Sequence, residues 1–88
     1  MPSSHRIHNR SQFDVVAVMD TNRESHPVPP NGTAVFTRAN VGDRPTFRIY
    51  DDPDRDGRGN RFLTSAKVGY WGALRAESEF EFTGSSLE

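Results

Sequence analysis

The stretch FDVVAVMD, residues 13–20, is a near-continuous apolar run that is rich in β-branched side chains. A short run of this kind is typical of a strand that is covered on both of its faces. We therefore expect these residues to form a central strand, and this expectation constrains the fold more than any other feature of the chain.

Segments with strand-type patterns lie on both sides of this run. RAESEFEFT (75–83) alternates most regularly, with both phenylalanines on one face and the glutamates on the other. RFLTSAKVGYW (61–71) alternates as well, which predicts that Phe62 and Ala66 share a face. Three further segments have the composition of short strands: RIHN (6–9), TAVFTR (33–38) and TFRIYD (46–51).

The connections between these segments are short and contain turn residues. HPVPPNGT (26–33) holds three prolines and an Asn-Gly pair, so the chain should reverse there. Strands with short connections and no convincing helix predict an all-β fold, a small antiparallel β-sandwich or barrel of about six strands. We expect one domain over 6–84, between flexible ends at 1–5 and 85–88, the second of which resembles a cloning scar.

The composition predicts a thin core. The chain has 88 residues, of which 33% are apolar, and so encloses little volume relative to its surface. Nine aromatic residues and a net charge of −1 nevertheless argue against disorder. Cysteine is absent, which excludes disulfides and thiolate zinc sites. A bound ion or a partner subunit would compensate for the small core.

The segment DDPDRDGRGN (51–60) is the clearest candidate site. It joins two predicted strands, and it combines oxygen-bearing side chains at alternate positions with a glycine where a calcium loop turns sharply. The candidate ligands are the side chains of Asp52, Asp54, Asp56 and Asn60 and the backbone carbonyl of Arg58. Leu63 occupies the position where an EF-hand requires a bidentate glutamate, which rules out that motif.

This segment resembles the D-x-D-x-D-G-x-x-[DN] loops that bind calcium between two strands, as in integrin-type FG-GAP repeats. The resemblance implies a Ca²⁺ ion that orders the hairpin. NRFLTSAKV (60–68) is also similar to the N-[DN]-x-x-[ST]-S strand of microbial βγ-crystallin domains, which implies calcium near Asn60, Thr64 and Ser65. Alternatively, the loop is free of metal, and Arg55, Arg58 and Arg61 pair with its carboxylates.

A longer resemblance is to the aegerolysins, small β-sandwich proteins that bind membrane lipids. It is carried by IHNRSQFDVV (7–16), by TFRIYDDPDRDG (46–57) and by the YWG and FEFTG motifs within 70–84. The resemblance implies lipid contacts at Tyr70 and Trp71. The alternative is that Trp71 packs in the core or at the rim of the sandwich.

Several other functions are disfavoured. His5 and His8 have the spacing of zinc ligands, with His26 as a third, but residues three apart on a strand point to opposite faces. Arginines and aspartates interleave in the middle of the chain, and the pI is near 6.3, which argues against nucleic-acid binding. No catalytic motif indicates an enzyme.

The sequence therefore predicts a non-enzymatic binding module whose partner is an unknown protein or a lipid. The alternatives are an aegerolysin-like lipid-binding protein and a structural subunit that assembles through an edge strand, for example as a homodimer. There is no transmembrane segment and no visible signal peptide, so we expect a soluble protein in the cytoplasm or in an unknown compartment.

Overall fold

The computed structural model describes residues 4–20, 23–36, 46–67 and 77–87. Within these ranges the chain forms strands and no helix. The seven strands are β1 (Ser4–Asn9), β2 (Val15–Met19), β3 (Ser25–Val28), β4 (Thr33–Phe36), β5 (Thr46–Asp51), β6 (Phe62–Lys67) and β7 (Glu77–Phe82). They form one sheet in the order β4-β1-β7 and another in the order β3-β2-β5-β6. The predicted all-β fold is confirmed, as a small β-sandwich.

The two sheets pack face to face through aromatic side chains. Phe47 of β5 is the centre of this contact: its ring centroid lies 5.0 Å from that of Phe36, 5.5 Å from that of His5 and 5.7 Å from that of Phe80. These three partners come from the opposite sheet, on β4, β1 and β7. Tilted and edge-on ring contacts of this kind stabilise a core beyond the burial of apolar area alone.

Strand β2 is central and covered on both faces, as predicted. It pairs with β3 on one side and β5 on the other. Val15, Ala17 and Met19 belong to the core between the sheets. Val16 points to the outer face and is also buried, because Gly59 of the β5–β6 loop lies directly against it and against Tyr50.

The pairing of β1 with β7 departs from the expected antiparallel pattern. These two strands run parallel, whereas the other four pairings among the described strands are antiparallel. Parallel register brings Arg6 beside Glu79 at 3.5 Å and Arg10 within 3.4 Å of Glu81 on the outer face. Glu79 and Glu81 therefore face arginines, while Phe82 on the opposite face is buried, as the alternation predicts.

The segment 26–33 was predicted only to reverse the chain, but it also carries part of a strand. The reversal is confirmed at 29–32, where the Gly32 amide donates to the Pro29 carbonyl at 2.8 Å and Asn31 has a φ of 63°. Before it, β3 pairs with β2 and includes Pro27. A proline is tolerated there because β3 is an outer strand among those described, and its missing amide faces away from β2.

Strands β5 and β6 form the expected antiparallel hairpin, but its register contains an irregularity. Tyr50 pairs with Phe62 and Ile49 with Thr64, which leaves Leu63 as an extra residue in β6. A β-bulge of this kind adds one residue to the strand, so the side chains before it point to the opposite face from the one that simple alternation predicts. Phe62 consequently lies on the outer face beside Tyr50, and not with Ala66 on the core side, so the prediction of a shared face was wrong.

Residues before and after the expected domain, 6–84, also form β-type backbone pairs. Strand β1 begins at Ser4, and His5 is buried. Leu87 forms an isolated bridge with Phe82 and packs against the core. None of the described residues belongs to a helix long and apolar enough to cross a membrane.

Candidate functional site

The loop that follows β5 folds around the carboxylate of Asp52. This side chain is buried, and its two oxygens accept hydrogen bonds from the backbone amides of Asp56 at 3.3 Å and Gly57 at 3.0 Å. The Asp52 carbonyl accepts a third, from the Arg55 amide at 3.0 Å. A carboxylate that accepts amide hydrogen bonds is a strong local organiser, so Asp52 stabilises this turn from within.

Asp51 closes the base of the same loop. Its backbone carbonyl accepts from the Asn60 amide at 2.8 Å, and its amide donates to the Arg61 carbonyl at 2.9 Å. One oxygen of its carboxylate accepts from the Arg61 amide at 2.6 Å. These hydrogen bonds join the two ends of the loop, with Asp51 on one side and Asn60 and Arg61 on the other.

The structure places the predicted calcium ligands in unequal environments. Asp52 is buried, whereas Asp54, Asp56, Arg58 and Asn60 are exposed. Within the described ranges no three or more His, Cys, Asp or Glu side chains are grouped so that they could hold a metal ion. In this conformation the candidate side chains are not grouped around one ion, because Asp52 points inward while Asp54, Asp56 and Asn60 are exposed. Calcium binding at this loop, in either the FG-GAP or the βγ-crystallin form, stays a prediction.

The arginines of the loop pair with carboxylates at its edges. Arg55 Nε lies 3.1 Å from Asp14 Oδ2, and Arg61 Nε lies 3.9 Å from Asp51 Oδ2. The amide of Arg58 donates to Asp56 Oδ1 at 3.0 Å, and this hydrogen bond is the main reason that the pKa of Asp56 is lowered from its ordinary value. The metal-free alternative proposed that these arginines pair with the aspartates of the segment 51–60. Arg61 does so with Asp51, whereas Arg55 pairs with Asp14, outside the segment.

A groove of about 440 Å³ lies beside this loop, at one end of the sandwich. It is formed where the β1–β2 link, the β5–β6 hairpin and the turn after β7 meet. Its lining residues are Gln12, Phe13, Asp14, Asp51, Pro53, Arg61, Leu63 and Gly84. Volumes of 300–1,000 Å³ are usual for binding pockets, so the groove is large enough to hold a side chain or a small molecule.

Phe13 is the most unusual residue of the groove. The residue is 62% exposed, although it lines the groove together with Leu63 and Pro53. Its backbone is held in place, because the Phe13 carbonyl accepts from Asn9 Nδ2 at 2.7 Å. An exposed aromatic residue with an anchored backbone, in a concave surface, is a feature of binding sites.

Asn9 holds the β1–β2 link in place from the interior of the sandwich, a role that was not predicted from the sequence. It is fully buried, and its Nδ2 donates to the carbonyls of Phe13 and Val28. Its Oδ1 accepts from the Ser11 amide at 2.9 Å and from Ser11 Oγ at 2.6 Å. The spacing of Asn9 and Ser11 could have indicated this role, because asparagine side chains commonly form hydrogen bonds with the backbone two residues further along.

The histidines are distributed as the strand geometry predicts. His5 is buried against Phe47, while His8 lies on the other face with its Nδ1 2.9 Å from Thr33 Oγ1. His26 is placed beside Glu24, with Nε2 and Oε2 2.6 Å apart. His5 and His8 therefore point to opposite faces and do not converge on one ion.

Two predicted features cannot be placed on this geometry. Tyr70 and Trp71, the candidate lipid contacts, lie outside the described residues, so lipid binding stays a prediction. Assembly through an edge strand also stays a prediction. Among the described strands, the outer positions of the two sheets belong to β3, β4, β6 and β7.

No protein-family model matches the chain, and no curated protein or solved structure matches it either. The groove and the loop are therefore the features that bear on its function.

Proposed function

We propose that this chain is a non-enzymatic binding module, and that it takes an apolar side chain of a partner polypeptide into the groove beside Phe13. The observation that carries the proposal is the exposure of Phe13 within a concave surface. Burying a large apolar ring under a partner would yield roughly 1.5–3 kcal/mol. A small domain with few core residues gains nothing for its own stability by leaving such a ring in water.

The composition of the groove favours a polypeptide as the partner. Aromatic and arginine residues dominate the energetics of protein interfaces, and here Phe13 stands with Arg61 at the groove. The groove is built by loops on a rigid sandwich, which is the usual arrangement of recognition surfaces. Phe13 and Leu63 supply the apolar anchor, while Asp14, Asp51 and Arg61 supply polar contacts around it.

The proposal is tested by selecting peptides from a displayed random library on the immobilised whole chain. Selected peptides are then measured by fluorescence anisotropy against the wild-type chain and against Phe13→Ser. We expect Phe13→Ser to weaken binding at least ten-fold, which is about 1.4 kcal/mol. The backbone contacts of Phe13 are retained in this variant, so the fold should persist.

Val35→Ser is the matched control. Val35 is 41% exposed on the outer face of β4 and does not line the groove, so its replacement removes apolar surface elsewhere. We expect it to leave the affinity unchanged. A library that yields no binders, or binders that tolerate Phe13→Ser as well as Val35→Ser, would contradict the proposal.

A further inference from the structure

We infer that the groove selects a cationic partner segment, one in which a lysine or arginine adjoins the apolar anchor and pairs with Asp14 and Asp51. This inference rests on the proposed function, because it names the chemistry of the segment that enters the same groove. The charged side chains at the groove are two aspartates and two arginines, and the fold holds the aspartates more firmly than the arginines.

The two carboxylates are partly withdrawn from water. The Asp51 side chain is 26% exposed and accepts a hydrogen bond from the Arg61 amide at 2.6 Å. The Asp14 side chain is 23% exposed, and its backbone is held because its carbonyl accepts from the Asp52 amide at 2.9 Å. Both negative charges are therefore partly desolvated before any partner arrives, and the Asp51 carboxylate is also held by a backbone amide, an arrangement that favours selective binding.

The two arginines that pair with them are held loosely. The side chain of Arg55 is 78% exposed and that of Arg61 is 79% exposed. The Arg61 pair spans 3.9 Å, which is at the long end for an ion pair. Exposed pairs of long side chains contribute little, so a partner's cation can replace either guanidinium at small cost.

The same asymmetry disfavours an anionic partner. A carboxylate or phosphate entering beside Phe13 would approach Asp14 and Asp51, which the fold holds in place. Arg55 and Arg61 can leave their pairs at small cost, but the two carboxylates remain in the lining of the groove and repel the anion. Like charges brought together at an interface oppose binding, so charge complementarity favours a cation.

Three peptides test the inference: N-acetyl-Lys-Trp-Lys-amide, N-acetyl-Gln-Trp-Gln-amide and N-acetyl-Glu-Trp-Glu-amide. Each is titrated into the ¹⁵N-labelled whole chain at low salt, and the affinity is read from the amide signals of Phe13, Leu63 and Gly84. We expect the lysine peptide to bind more tightly than the glutamine peptide by about two- to five-fold for each carboxylate, and the glutamate peptide to bind most weakly.

Asp14→Asn and Asp54→Asn separate a local pair from a general effect of net charge. Both remove one negative charge, but Asp54 is exposed and does not line the groove. We expect Asp14→Asn to reduce the preference for the lysine peptide and Asp54→Asn to leave it nearly intact. Equal losses in the two variants would overturn the inference, since the preference would then be long-range.

The remaining outcomes distinguish failure of the inference from failure of the proposed function. Equal affinity for the three peptides, or tightest binding of the glutamate peptide, would overturn the cationic preference while leaving the groove as the binding site. If none of the peptides moves the signals of Phe13, Leu63 and Gly84, the proposed function fails together with the inference.

Discussion

The buried carboxylate of Asp52 accepts a hydrogen bond from the amide of Gly57, five residues further along the chain, at 3.0 Å. This contact gives the acidic segment a structural role that depends on one of its aspartates more than on the others. The loop is folded around Asp52, and Asp54 and Asp56 lie at its exposed side.

Replacing Asp52 should destabilise the protein. Asp52→Ala removes the acceptor of the Asp56 and Gly57 amides, and hydrogen bonds to a charged group are worth more than neutral ones, so we expect a loss of about 2–3 kcal/mol in the free energy of unfolding. Denaturant unfolding measures it. Asp54→Ala is the control and should change the stability by less than about 0.5 kcal/mol. Equal effects of the two substitutions would contradict the organising role of Asp52.

The same two amides report on calcium. An ion bound by Asp52 would polarise the oxygens that accept from Asp56 and Gly57 and would move both amide signals. Titration with millimolar CaCl₂ in an NMR experiment therefore tests the predicted loop site directly, with MgCl₂ as the control for ionic strength.

The two loop glycines should differ sharply in their tolerance of a side chain. Gly57 and Gly59 have similar φ values, 76° and 73°, but a Cβ at Gly57 would meet nothing within 4 Å. A Cβ at Gly59 would lie 2.7 Å from the Cβ of Tyr50 and 2.9 Å from Cγ1 of Val16. We expect Gly57→Ala to lower the free energy of unfolding by about 1–2 kcal/mol, because alanine is strained at a positive φ. Gly59→Ala should lower it by about 1–3 kcal/mol more, because the added Cβ would clash with Tyr50 and Val16.

Thermal and denaturant unfolding of the two glycine variants measure this difference. If Gly59→Ala is no less stable than Gly57→Ala, the loop does not pack on the outer face of β2 as described.

Asn9 should be among the most sensitive polar positions. Asn9→Ala leaves the carbonyls of Phe13 and Val28 and the amide of Ser11 without their partner in the interior, so we expect a loss of about 3 kcal/mol. Gln12→Ala, in the same link but exposed, should have little effect. Denaturant unfolding distinguishes them, and a neutral Asn9→Ala would show that the link is held by other contacts.

The carboxyl group of Asp56 should titrate below its ordinary value of 3.8, chiefly because it accepts a hydrogen bond from the Arg58 amide. A lowered pKa in the folded state means that the interaction stabilises the protein above the unfolded value and is lost as the pH falls through the folded value. NMR titration of the side-chain carboxyl carbon measures this. Arg58→Ala retains the amide donor and should raise the pKa only slightly, whereas a return to the ordinary value would assign the shift to the guanidinium charge.

The parts of the fold that could be predicted are those where burial follows the local sequence. The apolar run of β2 shows that this strand is covered on both faces, and the alternation in β7 shows that Phe80 and Phe82 face the core. The position of Pro27 within a strand was not predicted. A strand tolerates proline only where the neighbouring strand needs no hydrogen bond from that position, and this depends on strand pairing rather than on the local sequence. The bulge at Leu63 likewise depends on pairing with β5, and it turned Phe62 to the outer face.

The candidate site was predictable only in its location near the acidic segment. Alternate aspartates suggested a shared ligand, but the burial of Asp52 and its amide contacts depend on how the loop packs against β2. The groove combines residues from three separate parts of the chain, around Phe13, Leu63 and Gly84. No spacing rule connects such positions, and an exposed phenylalanine is indistinguishable from a buried one in the sequence.

The central claim is that the groove beside Phe13 is where a partner binds, and chemical-shift mapping tests it most directly. The ¹⁵N-labelled chain is titrated with the tightest peptide from the display selection. We predict that the largest shifts fall at Phe13, Leu63 and Gly84 and that the outer face of β4 around Val35 is unchanged. Shifts centred on any other surface, with the amides of Phe13, Leu63 and Gly84 unmoved at saturation, would contradict the claim.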